Sequence, residues 1–184
     1  MFYDKELNAI KKVNRFRERV VYNSDLIDLA SNDYLGLGSN KELLYQSFKY
    51  IKNSSHAPKS SMLINGYSDI HRRFEKNLSK SNNFEDAIVV GSGFLANISL
   101  IESLVRKDDV LFIDEDYHAS GILATKLTTG KVVTFNHNDF KDLENRILSF
   151  KNSKVKKYNR LLIAIEGIYS MSGNIAPKQI FEIA

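Results

Sequence analysis

Several short stretches of this 184-residue chain carry residue types that can do chemistry. Gly91-Ser92-Gly93 interrupts the apolar run Ala87-Ile88-Val89-Val90. Leu95, Ile98, Ile101 and Val105 then recur at helical spacing, with Leu100 and Leu104 widening the face. Strand, glycine turn and helix present free backbone N–H groups and a positive dipole end to an anion, so the turn is a candidate phosphate cradle. A plain strand-to-helix turn accounts for the same glycines equally well. His118 follows Asp114-Glu115-Asp116-Tyr117. It can stack on a flat ligand or bond a carboxylate, although a single histidine near a helix start is commonly structural. Glu166-Gly167-Ile168-Tyr169-Ser170 offers a serine that can donate to a phosphate or phenolate oxygen. Glu166 itself can hold a substrate group or cap a neighbouring helix. Asn32 and Tyr34 can orient a ligand, or form an Asx turn and pack a ring. Arg17 can grip a carboxylate in a bidentate fork, or partner the dipole at a helix end. His56, His71 and His137 show no site logic and read as surface or packing residues.

The elements that must position these groups follow from periodicity. Leu7, Ile10, Val13 and Phe16 predict an amphipathic helix over about Tyr3 to Arg19. Leu26 to Ala30 reads as a short strand and 31–38 as turns. Ser39 or Asn40 caps a helix over 41–52. The polar stretch 53–65 reads as a loop with Leu63 and Ile64 as its apolar anchors, and 68–79 as a helix. From Ala87 onward strands and helices alternate: strand 87–90 and helix 94–105, strand 110–113 and helix 118–128, strand 132–135 and helix 139–150, then strand 161–165. That alternation predicts an α/β fold with a mainly parallel sheet covered on both faces. Ligands in such sheets lie beyond the carboxyl ends of the strands, which brings 91–94, 114–118 and 166–170 into one neighbourhood. Pro177 starts a last helix of about two turns that is marginal without packing. No strand follows Ile165, so the fold reads as interrupted.

Composition narrows the function classes. A hydrophobic fraction of 43% and a charged fraction of 26% suit a soluble globular protein. No apolar run approaches the ~20 residues of a membrane span, and the N-terminus lacks a secretory core. Cysteine is absent, which excludes disulfides and thiolate metal sites. A cytoplasmic protein without membrane partners is expected. The net charge of +4 comes largely from Arg15, Arg17 and Arg19 and from Lys151, Lys154, Lys156, Lys157 and Arg160. The second cluster has only Tyr158 as an interleaved aromatic, so nucleic acid ranks low as a partner. Gly91, Gly93 and Ala96 fit a G-x-G-x-x-A dinucleotide fingerprint, with Asp114 after the next strand. A Rossmann unit seldom has so much chain ahead of its first strand. The G-x-S-x-G of a hydrolase elbow and metal-ligand spacings are missing.

Taken together, Ser31-Asn32-Asp33-Tyr34-Leu35-Gly36-Leu37, Asn65-Gly66-Tyr67 with His71, Gly91-Ser92-Gly93-Phe94-Leu95-Ala96-Asn97, Asp116-Tyr117-His118-Ala119-Ser120 and Glu166-Gly167-Ile168-Tyr169-Ser170-Met171 are similar, in order and spacing, to the α-oxoamine synthases. The resemblance implies a partial pyridoxal-phosphate transferase fold of the aspartate-aminotransferase type, in which residues 1–40 form an N-terminal helix and arm and 41–184 the first half of the cofactor-binding domain. It implies decarboxylative condensation of an amino acid with an acyl-CoA or acyl-carrier-protein thioester, with L-alanine and a pimeloyl thioester, on the route to biotin, as the expected pair. By the same resemblance His118 stacks on the pyridine ring, Gly93 and Phe94 hold the phosphate, and Ser170 bonds the phenolate. Glu166 is a hydrogen-bonding group of the site, Arg17 meets the acyl substrate with Arg15 as the competing alignment, and Asn32 places the amino-acid carboxylate. Members are homodimers. Ser172 and Asn174 stand where the family often has acidic residues. The family's chain is about twice as long, and its pyridine-pairing aspartate and Schiff-base lysine fall after Ala184. A truncated, inactive form is therefore expected, with another α-oxoamine synthase (glycine C-acetyltransferase or 5-aminolevulinate synthase), a dinucleotide-binding module or a noncatalytic subunit as alternatives.

Overall fold

The computed structural model describes residues 2–23, 25–54, 58–153 and 158–184. His56, Lys154, Lys156 and Lys157 lie outside them. The chain divides into two compact units, 1–66 and 67–184.

Unit 67–184 is built on three parallel strands: β1 (Val110–Asp114), β2 (Lys131–Phe135) and β3 (Leu161–Ala164), in the order β2-β1-β3. Phe112 sits in register with Val133 on one side and Ile163 on the other. The central strand is buried along its whole length, as the apolar run Val-Leu-Phe-Ile requires. Its side chains alternate between two cores. Val110 and Phe112 join Phe135, Leu143, Ile147, Phe150 and Ile180 on one face. Leu111 and Ile113 join Ile101, Val105 and Ala124 on the other. The first core is closed by α6 (Phe140–Asn152) and α7 (Gln179–Ile183), the second by α4 (Gly93–Leu104) and α5 (Ala119–Ala124). The parallel sheet with helices on both faces is thus as the alternation predicts. The short α7 is held by Ile180, which is 1% exposed.

Two differences from the sequence reading within this unit have clear physical causes. Residues 87–90 form no strand: the Val89 N–H donates to Oε1 of Glu75 at 2.9 Å, and both edges of β1 are taken by β2 and β3. Glu75 is a buried residue of α3 (Asp69–Ser81), and its other oxygen accepts from the Tyr67 hydroxyl at 2.6 Å. Helix α5 stops at Ala124 rather than Thr128, because the Thr125 hydroxyl bonds the Ile122 carbonyl and the Lys126 and Leu127 amides turn back to Leu123 and Ala124. At the start of β1, buried Asp109 accepts from Arg160 Nη2 at 2.6 Å and Nε at 3.2 Å, tying the entry of β3 to that of β1. His71 reaches back to the Ser68 N–H as part of a capping box for α3.

Unit 1–66 contains α1 (Asp4–Lys12), a 3₁₀ turn (Leu37–Ser39), α2 (Lys41–Lys52) and a π turn (Met62–Gly66). Asn40 is the cap of α2, its side chain accepting from Leu43 N. Helix α1 ends well before Arg19: Asn14 adopts a left-handed backbone, φ 54°, and Arg15 N turns back to Ile10 O. Arg17 therefore lies beyond a helix end rather than on it. The expected strand 26–30 is absent, since Oδ1 of Asp28 accepts from the amides of Ala30 and Ser31 and turns the chain. The expected loop 53–65 runs into the π turn, and its expected anchors Leu63 and Ile64 are exposed. Gly66 is required there, because a Cβ would collide with the Ser60 carbonyl. It is also the only buried residue among those described in this unit.

Phe112 is fully buried at the centre of the sheet. Phe112→Ala should lower the unfolding free energy by about 3–5 kcal/mol in urea titration, through the cavity it leaves between α6 and the sheet.

Candidate active site

Three loops meet at His118. The residue follows β1 by four positions and is the N-cap of α5. Its backbone N–H donates to Oε1 of Glu166 at 2.7 Å, and Glu166 stands two residues past the end of β3. Its Nδ1 lies 2.7 Å from the Ser120 hydroxyl and accepts from the Ser120 amide at 3.2 Å. Ser120 Oγ accepts from Asn97 Nδ2 at 2.8 Å, and Asn97 sits one turn into α4. The Asn97 Oδ1 in turn accepts from the Tyr117 hydroxyl at 3.1 Å. The ends of β1 and β3 and the first turn of α4 thus converge on an exposed imidazole, although the residues are far apart in sequence.

The start of α4 has the features an anion needs. Ser92 caps it by accepting from Leu95 N at 3.2 Å. The amides of Gly93 and Phe94 have no acceptor among the described residues. Neither Gly91 nor Gly93 has a positive φ, and a Cβ on Gly93 would meet nothing within 4 Å. The fold therefore does not itself demand glycine at 93, whereas a bound group resting on that backbone would. Ser170 is exposed and makes no side-chain hydrogen bond among the described residues. It sits in a hairpin closed by Tyr169 N to Asn174 O at 2.9 Å and Gly173 N to Tyr169 O at 2.8 Å. Arg17 and Asn32 belong to unit 1–66, where Asn32 Oδ1 lies 3.4 Å from the Tyr34 hydroxyl and Arg17 is exposed.

A family model described as aminotransferase class I and II matches residues 24–183. The chain belongs to that family. It is 44% identical to the 8-amino-7-oxononanoate synthase of Helicobacter pylori strain J99, over 98% of this chain and 48% of the relative. The solved 8-amino-7-oxononanoate synthase of Francisella tularensis is 28% identical, with a TM-score of 0.63 over 84% of this chain and 41% of that one. A serine palmitoyltransferase structure solved with PLP is 27% identical, with a TM-score of 0.72 over 80% of this chain and 36% of that one. These relatives lie in the α-oxoamine synthase branch, and the chain spans about half the length of the curated relatives it matches. No described helix is long and apolar enough to cross a membrane.

A second polar cluster, unforeseen in the sequence, stands beside the site of this aminotransferase-family chain. Asp114, at the carboxyl end of β1, is fully buried. Its oxygens accept from the amides of Asp116 and Asn138, both at 2.9 Å, and from His137 Nδ1 at 2.9 Å. The His137 and Tyr169 rings meet edge to face at 4.4 Å. His137 Nε2 accepts from Asn174 Nδ2 at 3.0 Å. The cluster thus pins the hairpin that carries Ser170 to the ends of β1 and β2. His137 is an organising residue, not the surface or packing histidine that its isolation in sequence suggests. The available signal was its place two residues beyond Phe135, where β2 ends. The dinucleotide reading fails here: Asp114 is fully buried and out of reach of a ribose, and among the described residues no strand precedes Gly91.

Burial pushes the Asp114 carboxyl up, but the donated hydrogen bonds from Asn138, His137 and Asp116 outweigh it and hold the group below the usual carboxylate range. Burial likewise raises the Tyr169 phenol. A depressed folded value means the Asp114 contribution is complete above the ordinary value of about 3.9 and is lost as pH falls through the lower folded one. Asp114→Asn should cost about 1–3 kcal/mol at neutral pH, by setting an NH₂ against donors, and should flatten the acid limb. Urea titrations from neutral to acid pH read both effects.

Proposed function

We propose that this chain forms part of a pyridoxal-phosphate-dependent acyltransferase that condenses L-alanine with a pimeloyl thioester to 8-amino-7-oxononanoate. The observation that carries the reading is the convergence of the His118 imidazole, the Glu166 carboxylate and the glycine-led start of α4 at the strand ends. Pyridoxal phosphate is the cofactor of the α-oxoamine synthases. The residues present fit it: two unpaired amides at a helix N-terminus, a glycine whose missing Cβ nothing in the chain requires, and an exposed flat ring nearby. When bound, the cofactor supplies an electron sink for the carbon chemistry at the amino acid.

The chain's own groups bind and orient. The amides of Gly93 and Phe94 hold the phosphate in the field of the α4 dipole. His118 would stack on the pyridine ring, with its backbone tethered by Glu166. Ser170 donates its hydroxyl to the phenolate oxygen. Asn32 places the amino-acid carboxylate, and Arg17 meets the acyl substrate, as the family resemblance assigns them. The resemblance also requires a Schiff-base lysine, which none of the matched motifs supplies. The protein is cytoplasmic and works as a homodimer, with an acyl-CoA or acyl-carrier-protein donor. Serine palmitoyltransferase among the structural neighbours supports a second reading within the same class, another α-oxoamine synthase with a different thioester. Turnover of L-alanine with pimeloyl-CoA, against glycine with acetyl-CoA or succinyl-CoA, separates the two when assayed on the full-length protein that contains this chain.

Gly93→Glu should leave stability within about 0.5 kcal/mol, since the side chain enters open space. It should weaken pyridoxal-phosphate binding at least about tenfold by setting a carboxylate against the phosphate. Fluorescence titration reads the second effect and urea unfolding the first. Borohydride reduction of the 184-residue chain with pyridoxal phosphate should label no single lysine stoichiometrically.

A further inference from the structure

We infer that Asn97 and Ser120, backed by Tyr117, are positioning residues that lock the His118 imidazole in one orientation as its Nε2–H tautomer. The hydrogen bonds form a chain with one direction. That direction is set by the Ser120 backbone N–H, which can only donate and points at His118 Nδ1, and it runs back to the Tyr117 hydroxyl, which donates to Asn97 Oδ1. The Asn97 Nδ2 then donates to Ser120 Oγ. Ser120 is fully buried, and with its oxygen accepting from Asn97 its proton goes to the remaining partner, His118 Nδ1. The Ser120 backbone N–H donates to the same nitrogen. A nitrogen that receives two donors carries no proton of its own, so the ring proton of the neutral imidazole is on Nε2. Flipping the ring by 180° would put a carbon where Nδ1 stands and abandon both donors.

The anchor of the chain is equally fixed. A Cβ on Gly121 would overlap the Tyr117 ring, so that glycine lets α5 pack directly against it. Burial, and then the charge of Glu166, raise the Tyr117 phenol and keep it a donor. The hydrogen bonds of Tyr117, Asn97 and Ser120 reach the imidazole only at Nδ1. They act through His118, and the use made of the ring rests on the proposed cofactor reading, whereas the lock itself does not.

Long-range proton–nitrogen spectra of the histidine-labelled chain, without cofactor and at a pH where the rings are neutral, test the lock. His137 is an internal reference, because its Nδ1 faces Asp114 and its Nε2 accepts from Asn174, the opposite tautomer. In the wild type His118 should read as Nε2–H with a hydrogen-bonded Nδ1. Ser120→Ala should shift its Nδ1 resonance towards a free pyridine-type nitrogen and leave His137 unmoved, while Ser120→Thr retains the wild-type signal. Asn97→Asp, nearly isosteric, should give the Ser120→Ala pattern, since a carboxylate draws the serine proton to itself. It decides the matter if Ser120→Ala does not fold. An Nδ1–H signal for His118, or a His118 signal indifferent to both substitutions, overturns the proposal. Failure of the wild type to bind pyridoxal phosphate, with these shifts as expected, counts against the cofactor reading and leaves the lock standing.

Discussion

The bond from the His118 backbone N–H to the Glu166 carboxylate, 2.7 Å long, is the constraint on which the site depends. Two neighbouring parallel strands leave their carboxyl ends side by side, but the loops that follow are free to diverge. A charged acceptor on one loop and a backbone donor on the other remove that freedom, and such charge-assisted bonds are among the stronger ones available. The first turn of α4 is then joined to the same point through Asn97 and Ser120. Loops from three parts of the sequence share a geometry because each has a polar partner on the next.

The central strand is bracketed by buried carboxylates. Asp109 precedes β1 and is held by Arg160, whose Nη2 also donates to the Leu104 carbonyl at 2.6 Å. Asp114 ends β1 and is held by two amides and a histidine. The Arg160 guanidinium holds Asp109 below the usual carboxylate range. Burying a carboxylate is tolerable only with this degree of satisfaction, and each one fixes which loop can lie beside it. The apolar alternation along β1 sets the layers, while the polar ends set the angles at which the chain leaves them.

The layers were legible in the sequence because they rest on periodicity. Residues 110–113 read as a strand and 139–150 as a helix, and the structure has a strand at Val110–Asp114 and a helix at Phe140–Asn152. The strand expected at 87–90 is not seen, since Glu75 takes an amide of that segment and no neighbouring strand is available. A bond between residues fourteen positions apart leaves no local pattern to read. The same holds for the site. His118, Glu166 and Gly93 stand out by type and by position after strands. Asn97, Ser120 and His137 matter through partners that only the fold supplies, and α1 ends early at Asn14 through a backbone conformation that periodicity does not register.

Gly66 is the sole buried residue described in the first unit, and every described residue of α1 and α2 is exposed. Helices of 9 and 12 residues with no covered apolar face lack the dehydration that drives most helix formation in proteins. The heat-capacity increment on melting scales with apolar surface newly wetted. Nearly all of it belongs to residues 67–184, so a calorimeter would register the sheet unit and pass over the first sixty-six residues almost in silence.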